Sequence, residues 1–276
     1  MKTKFAVSNL AWPAHMDVLA MELLPAMGVN GVEVAPTKIA NWSDLTYSLL
    51  LDFRQRIQNA GLIVSSLQAI LFDLPSYQLL DDVEQFKYFE SHFFRLTEIA
   101  DILGAKNLVF GSPKNRKLCG LSNRDAWQVG LERMDRLGSI ANSAGIIIGI
   151  EPVPIFYGNE FLTSWRQVLS FVDELSNPGV RVHLDTGCVA MNGDSILEAI
   201  TSCANVMCHF QVAQPQLADF AIPHPDHLIA AKALEKIEYS KWISLEMQQS
   251  KLNSIETITH AVKFVTSTYL MRNASD

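Results

Sequence analysis

Four ionisable residues in the second half of the chain each close a short run of strand-forming residues. Glu151 follows Ile146-Ile147-Ile148-Gly149-Ile150, and Asp185 follows Val180-Arg181-Val182-His183-Leu184. His209 follows Val206-Met207-Cys208, and Glu246 follows Ile243-Ser244-Leu245. The gaps between them are 34, 24 and 37 residues, each wide enough for one strand–helix crossover. Neighbouring strands lie ~4.8 Å apart, so side chains at four successive strand ends could converge on one point. Three carboxylates that close repel one another when ionised, and a cation relieves the repulsion. Three oxygen donors and one imidazole suit Mn²⁺, Mg²⁺ or Co²⁺ better than a structural zinc, although Zn²⁺ can occupy such a set. A pair of carboxylates on either side of a substrate could also act as acid and base. The plain alternative for each residue is a charged strand terminus that meets solvent or pairs with Lys or Arg. It would have to hold separately for each of the four.

These residues need a scaffold that alternates strands and helices, and the chain reads that way. Expected strands fall at 5–9, 30–34, 62–68, 107–110, 146–151, 180–185, 205–210 and 242–246. Expected helices fall at 15–27, 44–60, 81–103, 122–144, 163–175, 194–202, 226–237 and 254–269. Several end at Gly: Gly28, Gly61, Gly104 and Gly145. Eight βα units with no linker or low-complexity break predict an α/β chain, one (β/α)8 barrel domain over residues 1–276. An open doubly wound sheet would want a glycine-rich phosphate loop after an early strand. Neither G-x-G-x-x-G nor G-x-x-x-x-G-K-[ST] occurs. In a barrel of this kind the functional residues stand at the C-terminal strand ends.

Gly149-Ile150-Glu151-Pro152, His183-Leu184-Asp185-Thr186-Gly187, Cys208-His209-Phe210 and Ser244-Leu245-Glu246-Met247, in that order, resemble the xylose isomerase-like TIM barrel superfamily, which includes sugar phosphate isomerases and epimerases. The likeness extends to Gly31-Val32-Glu33, Ser66-Leu67-Gln68 and Val109-Phe110-Gly111-Ser112-Pro113. It implies one divalent metal ion held by Glu151, Asp185, His209 and Glu246, with Glu151 and Glu246 as the acid/base pair. The implied reaction is isomerisation or epimerisation of a sugar or sugar phosphate through an enediolate. Three departures count against a D-psicose- or tagatose-type ketose epimerase. Cys188 stands where those enzymes keep a substrate-facing His, no Arg stands in the stretch from His209 to Leu217, and Pro154-Ile155-Phe156-Tyr157 replaces an Asn-Arg-x-Glu run. An endonuclease IV-type activity is disfavoured too, since Ile222-Pro223-His224 lacks the acid of that branch's Asp-x-His. A dehydratase or lyase of the same superfamily, or a barrel that binds a sugar without turning it over, stays open as an alternative. A glycoside hydrolase would share the paired carboxylates but not the metal.

Other candidates for substrate contact are Trp12 and Tyr157 as apolar walls, Glu33 and Gln68 at the ends of the second and third strands, Ser112 in the loop after the fourth, and His224. Lys114, Asn115 and Arg116 could join Ser112 around a phosphate or carboxylate, or form a plain basic loop. His183 shares the parity of Asp185 and could steady it from one layer down. Cys188, beyond the strand end, is expected near the metal without ligating it.

The charge balance, 22 Lys+Arg against 29 Asp+Glu for a net −7, disfavours nucleic acid and anionic membranes as partners. No apolar run approaches the ~20 residues of a membrane span. The short apolar stretch after Met1-Lys2-Thr3-Lys4 is broken by Ser8 and Asn9, so it reads as a first strand rather than a secretory signal. Four cysteines without a C-x-x-C pair fit reduced thiols and a cytoplasmic location. The expected partner is a small sugar-derived molecule. A homo-oligomer is compatible with the sequence.

Overall fold

The computed structural model describes residues 3–251 and 253–271. Eight parallel strands close into a barrel in sequence order: β1 (Lys4–Ser8), β2 (Gly31–Val34), β3 (Ile63–Leu67), β4 (Asn107–Phe110), β5 (Ile147–Ile150), β6 (Val180–Asp185), β7 (Met207–Ala213) and β8 (Trp242–Glu246). β8 pairs with β1, so no sheet edge is left open. The α-helices outside are α1 (Asp17–Leu23), α2 (Tyr47–Asn59), α3 (Val83–Leu103), α4 (Asn123–Ser143), α5 (Trp165–Leu175), α6 (Thr186–Met191), α7 (Ile196–Cys203), α8 (Asp226–Lys236) and α9 (Ser254–Val265). The (β/α)8 expectation is met.

Local chemistry sets the helix ends. Asp82 accepts from the Gln85 N–H to start α3, and Gly104, at φ +83°, closes it in a conformation that a side chain would strain. Ser164 and Gln167 cap α5 reciprocally. Between helices and barrel the core is aromatic and aliphatic. Phe89 and Phe93 of α3 stack 5.2 Å apart, and both meet Phe110 of β4 edge-on at 6.2 and 6.1 Å. Aromatic pairs of this geometry add ~0.5–1.5 kcal/mol beyond burial.

Four elements differ from expectation. Pro25 lacks the N–H that would continue the first helix, which becomes α1 flanked by 3₁₀ turns. Thr46, not Ser43-Asp44, caps α2, because 42–44 form a 3₁₀ turn of their own. α6 is an extra short helix directly after β6. Its N-cap is Asp185, whose Oδ1 accepts from the Cys188 N–H at 2.6 Å. The fourth difference matters most: β7 runs to Ala213, three residues past the expected end at Phe210. Its ladder places His183 opposite His209, Asp185 opposite Gln211, and Ala213 opposite Glu246. His209 is therefore one layer below the strand end. Among the described residues no helix is long and apolar enough to cross a membrane.

β6 comes close to α4 only because two glycines meet. A Cβ on Gly179 would sit 2.0 Å from the Gly138 carbonyl oxygen, a backbone atom that cannot swing away. Gly179→Ala should destabilise by about 1–3 kcal/mol, lowering Tm by several degrees in a thermal melt. An unchanged Tm would contradict this contact.

Candidate functional site

Glu151 and Glu246 stand at the C-terminal ends of β5 and β8, and Asp185 is the last residue of β6. The three line one cavity of about 190 Å³ at the barrel mouth, with Gln68, Ser112, Tyr157, Cys188 and Gln211 among the other walls. Among the described residues no Lys or Arg lines it. A larger groove of about 770 Å³ lies outside the barrel between α2 and α3. No strand end reaches it, so the chemistry belongs to the smaller cavity.

Beneath the cavity sits a second, fully buried polar layer centred on Glu33. Its Oε2 accepts from Ser66 Oγ at 2.6 Å and His209 Nε2 at 2.7 Å. Its Oε1 accepts from Gln211 Nε2 at 2.7 Å and Ser244 Oγ at 2.9 Å. Burial by itself would raise Glu33. The His209 ring beside it, with the donors Ser66 and Gln211, outweighs that and holds the carboxyl at about 2. The ladder between β2 and β3 shifts register between Val32 and Glu33, an irregularity of the kind that re-aims a side chain. The other ring nitrogen of His209 faces the Trp242 carbonyl at 3.3 Å. Each ring nitrogen thus faces a protein partner rather than the cavity.

The structure places His209 away from Glu151, Asp185 and Glu246, outside the lining of their cavity and against Glu33. Gln211 holds the β7 place beside them, opposite Asp185. Its Oε1 accepts from His183 Nε2 at 2.8 Å. Burial, and then the neighbouring His209, depress His183 to about 3, so its ring is neutral and steadies Gln211 rather than Asp185. Gln68 bridges the two layers. Its amide lies 2.5 Å from Ser8 Oγ, 2.8 Å from Glu33 Oε1 and 3.2 Å from Glu246 Oε1.

Among the described residues the three carboxylates of the cavity have fewer partners than Glu33. Burial, then Glu151, push Asp185 up to about 8 against the pull of the Cys188 N–H. Burial lifts Glu151 too, opposed by the Cys188 hydrogen bond and Arg116. Burial, with Asp185 and Glu151, raises Glu246 well above the carboxylate range. Asp185 is the clearest case. Oδ1 caps α6, whereas buried Oδ2 has no hydrogen-bond partner among the described residues. Cys188 Sγ donates to Glu151 Oε1 at 3.2 Å. One donor atom from each of Glu151, Asp185 and Cys188 fits within 4.8 Å of the others. An orphaned carboxylate oxygen among like charges, with a thiol beside it, is a donor set that fits a divalent cation.

The remaining candidates divide. Ser112 and Tyr157 line the cavity. Ser112 holds a left-handed φ of +35°, and Ala69 and Leu217 on the same wall are left-handed as well. Backbone strain of this kind gathers at functional sites. Tyr157 keeps its proton, pushed by burial and the nearby acids to about 12, and its hydroxyl reaches Met191 Sδ at 3.3 Å. Trp12 is not a wall. It is fully buried in the core and donates to Asp17 Oδ1 at 2.7 Å. His224 lies off the cavity, 3.6 Å from Asp226. The basic loop is not a cradle either: Asn115 clamps the Leu74 and Tyr77 carbonyls, and Arg116 is fully buried over the Phe110 ring. The residue that sequence reading missed is Gln211. Gly111, in the loop it did single out, leaves room for the carboxylate: a Cβ there would come 2.2 Å from Glu151 Oε2.

The charge crowding is measurable without any ligand. A carboxyl held above its unfolded value keeps a proton in the native state. Its stabilising share is complete below the unfolded value of 3.8 and is lost as pH rises toward about 8. In chelator, Asp185→Asn should therefore gain on the wild type as pH rises from 5 to 8, by ~2–4 °C in Tm for each kcal/mol. A difference that does not change with pH would show that Asp185 is not crowded.

The wider comparisons match this geometry at the level of the fold. An L-ribulose 3-epimerase superposes with a TM-score of 0.81 at 16% identity, over 97% of this chain and 94% of that one. A D-psicose 3-epimerase solved in the presence of D-fructose gives 0.80 at 16%, over 98% and 100%. A family 2 AP endonuclease from Brucella melitensis gives 0.77 at 14%, over 97% and 99%. Among curated proteins none matches. Similarity spread over epimerases and an endonuclease establishes architecture and leaves substrate to the site. The family model described as xylose isomerase-like TIM barrel matches residues 21–268, and with the closed eight-stranded barrel and its strand-end acids it shows that the chain belongs to the xylose isomerase-like TIM barrel family.

Proposed function

We propose that this protein is a divalent-cation-dependent isomerase or epimerase of a small hydroxy-carbonyl compound, a sugar or sugar derivative. The observation that carries this reading is the convergence of Glu151, Asp185 and Glu246 in one cavity that has no basic lining residue among the described residues, with Asp185 Oδ2 unpartnered among them. Glu151, Asp185 and Glu246 would hold the cation. When bound, it would supply electrophilic polarisation of a carbonyl and its neighbouring hydroxyl, which makes the adjacent C–H acidic.

The chain's own groups do the rest. Glu151 and Glu246 enter from β5 and β8, with β6 and β7 between them. One removes a proton from the carbon beside the carbonyl, and the other returns one to the resulting enediolate. The Tyr157 phenol and the Ser112 hydroxyl are neutral donors for substrate hydroxyls. A cavity of about 190 Å³ at the barrel mouth has room for a small molecule. The epimerases named above share this fold, which is in keeping with the reading.

Activity should vanish on chelation and return with Mn²⁺ or Co²⁺. With a panel of ketoses, aldoses and keto acids in D₂O, a true substrate should gain deuterium at the carbon beside the carbonyl. Glu151→Gln and Glu246→Gln should each slow that exchange by about 10²–10⁴-fold while the melting transition stays cooperative. Turnover that incorporates ¹⁸O from water and leaves C–H bonds untouched would sink the isomerase reading in favour of hydrolysis.

A further inference from the structure

With His209 committed to Glu33, the cluster at the mouth has no imidazole of its own. Gln211 does not replace it, because its nitrogen donates to Glu33 Oε1 and its oxygen accepts from His183. The β6–α6 junction supplies another donor. Asp185 ends the strand and caps the helix, and that cap fixes Cys188 within the first turn of α6. Cys188 is buried and lines the cavity, with Sγ 3.2 Å from Glu151 Oε1.

Two observations bear on it independently. The thiol sulfur lies within 4.8 Å of carboxylate oxygens from both Glu151 and Asp185, a spacing that lets one ion touch all three. Asp185 Oδ2, on a residue only 2% exposed, has no hydrogen-bond partner among the described residues while its sister oxygen is used. A buried oxygen in that condition wants a cation or a proton. Resting on the cation site proposed above, we infer that Cys188 is itself a ligand. Its Sγ takes the coordination place that the sequence pattern offers to His209, beside Glu151, Asp185 and Glu246. The expectation that Cys188 lies near the metal without ligating it is thereby revised.

Ligation breaks the Sγ–H bond and forms an Sγ–metal bond. The proton leaves by way of Glu151 Oε1, the acceptor of the thiol, to solvent, and no electron is transferred. One thiolate among carboxylates moves selectivity away from Mg²⁺ and toward Zn²⁺ and Co²⁺.

The test uses the full-length protein, stripped with chelator and reloaded with Co²⁺ or Zn²⁺ alone. The Co²⁺ form should show a thiolate-to-metal charge-transfer band in the near ultraviolet. Cys188→Ser should abolish it, and Cys208→Ser and Cys203→Ser should keep it. Zn²⁺ affinity should fall at least ~10-fold in Cys188→Ser, since even outer-shell partners are worth that much. X-ray absorption on Zn²⁺-loaded wild type gives a reading that needs no variant: one sulfur at about 2.3 Å. Stoichiometric metal with only oxygen and nitrogen neighbours would overturn the thiolate while leaving the carboxylate site standing. Failure of the wild type to bind either ion would overturn both.

Discussion

Two buried acidic layers compete for one imidazole, and the lower layer holds it. Glu33 lies inside the barrel at no exposure to solvent, and a carboxylate there is tolerated only when its oxygens are fully answered. His209, Ser66, Gln211 and Ser244 answer them, from strands β7, β3 and β8. This one arrangement fixes the orientation of His209 and Gln211, and through Gln211 that of His183. It also leaves the upper layer, Glu151, Asp185 and Glu246, with no positive side chain among the lining residues of their cavity.

The upper layer is therefore in the opposite electrostatic state. Glu33 is held low, whereas Asp185, Glu151 and Glu246 are all lifted. Carboxyls whose environments push them apart within a few ångströms are the pattern by which sites divide structural from chemical work. Arg116 does not cancel the charge. Its guanidinium is buried, brought down to about 10 by desolvation, and two of its nitrogens have no partner among the described residues. It tempers Glu151 from behind and does not enter the cavity.

Much of this was legible from residue order. The alternation of short apolar runs and capped helices announced eight βα units, and Glu151, Asp185 and Glu246 announced strand ends, because a charge that closes an apolar run has few other places to go. The end of β7 was not legible. Gln211 interrupts an apolar run, so residue order alone ends the strand at Phe210 and makes His209 terminal. In a closed barrel the inner face stays polar near the mouth, and a strand continues through such residues. The parity of His209 and Gln211, two apart on one face, was the available signal. Trp12 misled for the converse reason. A loop aromatic reads as a binding wall until its indole N–H finds a partner, here Asp17, and its ring finds the core. The Glu33 carboxylate and the Trp242 carbonyl that set His209's role come from strands far apart in sequence, and no local pattern records them.

The central claim is that the three upper carboxylates share protons that a divalent cation displaces. Titrating chelator-stripped protein with Mn²⁺ in weakly buffered solution near pH 7, while following bound metal and released protons together, tests this most directly. One equivalent of metal bound with release of at least one proton, and loss of that binding in Glu246→Gln, is the predicted result. Absence of binding, or binding that releases no proton and survives Glu246→Gln, would contradict it.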